Sequence, residues 1–235
     1  MAQSDFRKFL PGPELKKIAG PTARAHANTR LESERAQGLF GTWKTLLDAP
    51  FQGITTDGLV QPGLFTLQPD GAPVAAIKQA VETLSARLSP AQRKAMSFPV
   101  DSPMWRNWQN TELYVENHGL RLDEINDDLR KAVMNVLRAS LSQKGYSMSR
   151  DVMRLNRFLG DLVHGREILG EWSYIFCLFG EPSMEKPWGW QFFGHHLCLH
   201  CLLVDGQMVL TPCFMGAEPS FADEGPFKGI RMFED

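Results

Sequence analysis

Apolar residues recur along this chain in two rhythms, and the change between them falls near Gly170. Upstream the spacing is helical. From Thr22 to Leu47, the residues Leu31, Leu39, Trp43, Leu46 and Leu47 share one stripe, Arg30, Glu32, Glu34 and Arg35 lie opposite, and Pro50 ends the run. From Ala72 to Leu88 the apolar set Val74, Ile77, Val81, Leu84 and Leu88 steps by threes and fours. Ser89-Pro90-Ala91-Gln92 then offers a capping hydroxyl, a proline suited to the first helical position and a glutamine placed to complete a capping box. Asp123 to Gln143 predicts a helix that buries Leu129, Val133, Leu137 and Leu141 and stops at Gly145. Ser149 to His164 predicts another, burying Val152, Leu155, Leu159 and Leu162.

Three stretches of this half lack a period. Residues 1–21 carry Pro11, Gly12, Pro13, Gly20 and Pro21 and read as an irregular arm. Gly58 to Leu67 reads as a small hairpin around Gln61-Pro62-Gly63. Residues 98–119 read as an aromatic loop holding Met104-Trp105-Arg106-Asn107-Trp108-Gln109-Asn110. After Gly170 the period becomes that of strands, over Ser173 to Phe179, Trp190 to Val204 and Met208 to Cys213, with Asp205-Gly206 turning the last two into a hairpin. Helices followed by strands predict an α+β fold, its helical N-terminal two-thirds packed on a largely antiparallel sheet from the C-terminal third. Residues 22–235 then form a single domain, with no internal repeat and no low-complexity tract.

Composition narrows the function classes. A chain of 235 residues that is 43% hydrophobic and 22% charged is long and apolar enough for a sizeable core, which excludes disorder. Lysine and arginine number 25 against 27 aspartates and glutamates, and that balance argues against nucleic acid as a partner. No run reaches the ~18 apolar residues of a membrane span, and the first residues lack a secretory apolar core, so a soluble cytoplasmic protein is expected. Cys177, Cys198, Cys201 and Cys213 crowd into the last quarter inside apolar runs, which reads as reduced thiols rather than a disulfide scaffold.

The densest chemistry is Gly194-His195-His196-Leu197-Cys198-Leu199-His200-Cys201. On one long strand, His196, Cys198 and His200 share a face, and His195 falls with the apolar Leu197, Leu199 and Leu203. His196 and His200 would then lie about 13 Å apart at ~3.3 Å per residue, too far for one ion without a bend. Three histidines in six residues favour a metal site or acid–base chemistry, while hydrogen-bonded core histidines are the plain alternative. Cys198-x-x-Cys201 would point to opposite faces and has no second pair to complete a zinc site.

Glu181 and Glu218 each precede a proline just after a strand, and together are expected at the histidine end of the sheet. One would serve as ligand or general base, and a solvated turn residue is the ordinary reading of each. Trp105, Arg106, Trp108 and Trp190 offer stacking faces and donors to a small organic ligand, against the alternative that the tryptophans pack the helix–sheet interface. His26, His118 and His164 stand alone and receive no role. Walker A, GxGxxG, GxSxG and HExxH patterns are all absent, so no nucleotide cofactor is indicated.

Phe179-Gly180-Glu181-Pro182-Ser183, Trp188-Gly189-Trp190 leading into Gly194-His195-His196-Leu197, and Thr211-Pro212-Cys213-Phe214-Met215-Gly216-Ala217-Glu218-Pro219 resemble a family catalogued as a domain of unknown function numbered 3500. Weaker similarity runs through Trp105-Arg106-Asn107-Trp108 and Arg150 to Leu155, so the resemblance covers the chain from about residue 22. It implies no activity. It does place weight on His195, His196, Glu181 and Glu218, whereas Cys198 and His200 depart from the small polar residues expected there. The resemblance also implies that members continue beyond Asp235, so a C-terminal portion is absent here or this member is short.

The expectation is an enzyme acting on a small organic molecule. Its divalent metal would be held among His195, His196 and His200, with Glu181, Glu218 and His195 as catalytic groups. Hydrolysis is the broadest form of that reading, beside oxygenase or lyase chemistry. A non-catalytic ligand-binding or interaction protein is the alternative.

Overall fold

Side-chain caps mark where most of the described helices of this protein begin. The structure, a computed structural model, describes residues 6–10, 22–50, 59, 61–64, 66–115 and 117–233. Thr22 and Ser33 each accept a backbone N–H three residues on, from Ala25 and Ala36. The run that the periodicity predicts as one helix is therefore two, α1 (Ala23–Leu31) and α2 (Glu34–Asp48). Helix α3 (Val74–Ser85) buries Val74, Ile77, Val81 and Leu84 as expected. Helix α4 (Pro90–Met96) opens with the full capping box, Gln92 N–H to Ser89 Oγ at 3.2 Å and Ser89 N–H to Gln92 Oε1 at 3.0 Å. Two-residue strands β1 (Ser97–Phe98) and β2 (Leu120–Arg121) follow.

Helix α5 (Asp127–Ser140) then buries Leu129, Val133 and Leu137, and α6 (Gln143–Leu162) buries Val152, Leu155 and Leu159. Gly145 does not stop a helix. Ser142 caps α6 by accepting the Gly145 N–H at 3.1 Å, so this glycine lies inside the first turn. Helix α2 differs from the rest, because none of its residues is buried. Of the expected arm and hairpin, Phe6–Phe9 form a 3₁₀ turn followed by a bend at Leu10, and Pro62 to Leu64 form a turn and bend, while residues 1–5 and 11–21 and Gly58, Val60 and Phe65 lie outside the described residues.

The sheet has five rows. Strand β3 (Tyr174–Phe179) pairs antiparallel with β4 (Trp188–Gly194), which pairs antiparallel with β5 (Leu197–Val204). One edge is shared by β1, parallel to β3 at Leu178 and Phe179, and β2, antiparallel at Ile175 and Phe176. The other is shared by β6 (Gln207–Val209), beside Leu202 to Val204, and β7 (Cys213–Met215), beside Leu197 to Leu199. The expected strand from Met208 to Cys213 is thus split in two. The fold is α+β with a mixed sheet. Its strands do not all come from the C-terminal third, since β1 and β2 arise among the helices.

Both faces of β3–β5 are covered, which explains why these strands read as almost unbroken apolar runs. One face carries Phe176, Phe192 and Leu199 in a row, packed with residues of α3, α5 and α6 in the main core. The other carries Ile175, Phe193 and Cys198 in a second core, against Met104, Trp105, Trp108 and Tyr114 of the aromatic loop and its continuation.

Candidate functional site

The apolar run from Trp190 to Val204 is two strands, with Gly194 paired to Leu197. His195 and His196 are therefore the two residues of a hairpin loop. Alternation cannot be carried through them, and the expected strand face shared by His196, Cys198 and His200 is corrected on that ground. His196 takes φ +60°, an uncommon conformation for a residue with a side chain. Three long-range hydrogen bonds hold the loop. Tyr174 donates its hydroxyl to His195 C=O at 2.9 Å, His196 N–H donates to Asn110 Oδ1 at 2.8 Å, and Gly216 N–H donates to His196 C=O at 2.7 Å. Gly194 makes the first possible, because a Cβ there would meet Tyr174 Cδ1 at 2.6 Å.

Strand β7 brings the carboxylate. Met215 lies opposite Leu197, so the segment after β7 emerges beside the histidine loop. Glu218 Oε2 stands 3.1 Å from His196 Nε2 and 3.9 Å from His195 Nε2. One ligand atom from each of these residues lies within 4.8 Å of the others. Donors around one tetrahedral ion with bonds of about 2.1 Å are roughly 3.4 Å apart, so shifts of under an ångström would close these groups on an ion.

His195 is oriented for such a role. It is buried, and its Nδ1 lies 2.8 Å from Asn156 Oδ1. Asn156 donates its amide Nδ2 to Gly170 C=O at 2.8 Å, which fixes Oδ1 as the atom facing the ring. An amide oxygen only accepts, so Nδ1 carries the hydrogen and the Nε2 lone pair is presented towards Glu218. Burial, reinforced by His196, pushes the His195 pKa down to about 3 and keeps the ring neutral. A second hydrogen bond that sets ring orientation and tautomer is what a metal-ligating histidine normally has.

A family model described as Protein of unknown function (DUF3500) matches residues 70–235, a span that contains the histidine loop, Glu218 and Asn156. The chain belongs to this family. No curated protein and no solved structure matches it.

The other residues singled out in this DUF3500 chain are placed elsewhere. His200 stays on β5, where its Nδ1–H donates to Pro212 C=O at 2.8 Å and its ring meets Trp108 edge-on at 5.1 Å. Its Nε2 is buried with no partner among the described residues, and His200 lies outside the cluster of His195, His196 and Glu218. Burial lowers its pKa against the opposing pull of the Pro212 carbonyl. Glu181 follows the far end of β3, where Phe179 pairs with Gly189, whereas Tyr174 pairs with Gly194 beside the histidines. The two Glu-Pro turns thus lie at opposite ends of the sheet, and the expectation of a shared end is corrected.

Trp190 is fully buried and donates its indole N–H to Ser140 Oγ at 3.1 Å, so it has no surface to offer a ligand. Trp105 stacks on Phe179 at 3.8 Å and gives its N–H to Val100 C=O. Arg106 caps the end of α2, donating to the carbonyls of Leu47 and Ala49 at 2.8 and 2.9 Å. Trp108, unlike Trp190, combines partial exposure with a cleft, described below. All four cysteines are free thiols, and Cys198 and Cys201 lie in different cores with pKa values pushed up by burial to about 12.

Two residues of the site, Asn156 and Tyr174, escaped the sequence reading, and Asn110, named there within the aromatic loop, holds the histidine loop instead of a ligand. Of the two, only Asn156 left a signal. It lies four residues after Val152 on the buried stripe of α6, and a buried amide needs a partner.

Proposed function

We propose that His195, His196 and Glu218 hold one divalent metal ion, and that this protein is a metal-dependent enzyme acting on a small organic molecule. The observation that carries this reading is the convergence of two imidazole nitrogens and a carboxylate oxygen within 4.8 Å. Two histidines and one carboxylate suit zinc in hydrolytic sites and iron in oxygenase sites, and three protein ligands leave positions for water and substrate. In that place a divalent ion would supply Lewis-acid chemistry, activating water or polarising a carbonyl. One carboxylate oxygen of Glu218 would hold the ion, and the other would be free to accept a proton from an attacking water. Hydrolysis is the form of the reaction we favour, in the cytoplasm, where the free thiols stay reduced.

The cleft beside Glu218 suggests the substrate's character. It has a volume of about 280 Å³ and is lined by Phe6, Phe9, Leu10, Leu159 and Pro219, which fits a small, largely apolar molecule.

A second reading rests on the 3.1 Å contact between His196 and Glu218, which a hydrogen bond alone satisfies. In that reading the pair is a clasp between the hairpin loop and the segment after β7, in a protein that binds without catalysis. Elemental analysis of the protein, as purified and after reconstitution with zinc, ferrous iron and manganese, separates the two. The metal reading expects about one equivalent of one ion in the parent and under about a tenth in a folded His195→Ala/His196→Ala variant. No metal in the reconstituted parent overturns it and leaves the clasp.

A further inference from the structure

A larger cleft, of about 650 Å³, opens between α2 and the aromatic loop. That volume suits a small ligand. It shares no lining residue with the His195–His196–Glu218 cluster, and does not depend on the metal reading. Because α2 buries none of its residues, Phe40 and Trp43 face this space rather than a core, their rings set edge to face at 4.9 Å. Trp108 faces them from the loop.

Two polar features decide what this aromatic cleft would take. Lys44 lies on its wall, and has no ion pair among the described residues. Arg106, the other cation there, is committed to the carbonyls at the end of α2. The second feature is Gln109, which lines the cleft and is 7% exposed. Its Nε2 donates to Leu113 C=O, so its Oε1 is an acceptor, and that atom is buried with no partner among the described residues. A buried acceptor of this kind is costly until a donor reaches it.

We propose that the cleft is a second ligand site, for a planar aromatic anion that carries an N–H or O–H donor. Its rings would lie among Phe40, Trp43 and Trp108, its negative charge would meet Lys44, and its donor would satisfy Gln109 Oε1.

The probe for this is 1-anilinonaphthalene-8-sulfonate, an aromatic sulfonate with an anilino N–H, titrated into the full chain and followed by its fluorescence. Saturable binding at one site per chain is expected. Lys44→Glu should weaken it about tenfold, Trp43→Ala more, and Gln109→Met about threefold to tenfold, while His195→Ala/His196→Ala leaves it unchanged. N-phenyl-1-naphthylamine, which keeps the rings and N–H but lacks the charge, should bind about tenfold more weakly than the sulfonate. Lys44 and Trp43 belong to a helix with no buried residue, so these variants should keep the parent's near-ultraviolet circular dichroism. Unsaturable binding overturns the site, as does a titration that Lys44→Glu and Trp43→Ala both leave unchanged. Equal affinity for the two probes overturns the assignment of an anion.

Discussion

Two buried histidines five residues apart in one hairpin show how little the side chain alone decides. His195 and His200 each give Nδ1–H to an oxygen at 2.8 Å, Asn156 in one case and Pro212 in the other. In each the Nε2 is therefore left as a bare acceptor. The difference is what lies ahead of it. His195 looks towards Glu218, with His196 alongside at a ring distance of 3.9 Å, whereas His200 is enclosed beside Trp108 and opposite Gln191. Two acceptors facing each other across 3.9 Å invite a cation between them, and an enclosed lone pair beside an indole invites at most a water. The role of a histidine here is set by the third group that the fold delivers.

The sharpest way to break this contrast is to spoil the orientation of His195 while leaving all three ligands in place. Asn156→Leu removes the amide oxygen that fixes the tautomer and ring of His195. Metal affinity should fall by about 10–100-fold, read by competition with a chromophoric chelator. Asn156→Asp keeps an oxygen acceptor and should restore most of that loss, which a merely structural role for Asn156 would not give. If Asn156→Leu binds metal as well as the parent, the orientation argument fails.

A smaller effect is expected at His200. Burial holds its folded pKa below the ordinary value of about 6.5, so the unfolded chain gains the proton first as the pH falls. The stability tied to its neutral form is present above pH ~6.5 and is lost as the pH drops below it. His200→Gln should therefore flatten the decline in stability as the pH falls below about 6.5, as followed by urea unfolding. At pH 7 it should change stability by no more than about 1 kcal/mol, since glutamine can still donate to the Pro212 carbonyl. Its metal content should equal the parent's, and a loss of metal would place His200 in the site after all.

How far the sequence carried these assignments depended on whether the deciding contact was local. The stripes of α3, α5 and α6 were legible because a helix buries residues three and four apart wherever it packs. Asp205-Gly206 was legible as well, since both residues sit at positive φ, 47° and 77°, where that dipeptide is favoured. Gly194-His195-His196-Leu197 turns the chain just as tightly without such a dipeptide, and an apolar run with no turn signal reads as one strand. The loop is held instead by Tyr174, Asn110 and Gly216, and its acceptor Asn156 stands 39 residues away along the chain. The histidines and Glu218 could be singled out by residue type, but their convergence depends on β7 lying beside Leu197, a pairing that no short window contains.

The smallest expected effect concerns the second carboxylate. From Tyr174, level with the histidine loop, to Phe179 the five steps of β3 cover about 17 Å at ~3.3 Å per residue, and Glu181 lies two residues further on. A side chain cannot bridge that span to an ion held by His195. Glu181 instead borders a groove shared with Arg93, Phe98 and Leu178. Glu181→Gln removes its charge with little change of shape, so metal stoichiometry and affinity should match the parent, as should activity once a substrate is found. Glu218→Gln, the same chemical change at the other end of the sheet, should abolish stoichiometric binding, because a neutral amide oxygen is a far poorer ligand for a divalent ion. Measured side by side, the two variants separate position from residue type. Equal losses would mean that both carboxylates act on metal binding through the protein's overall charge, and the geometric case for the cluster would fall with them.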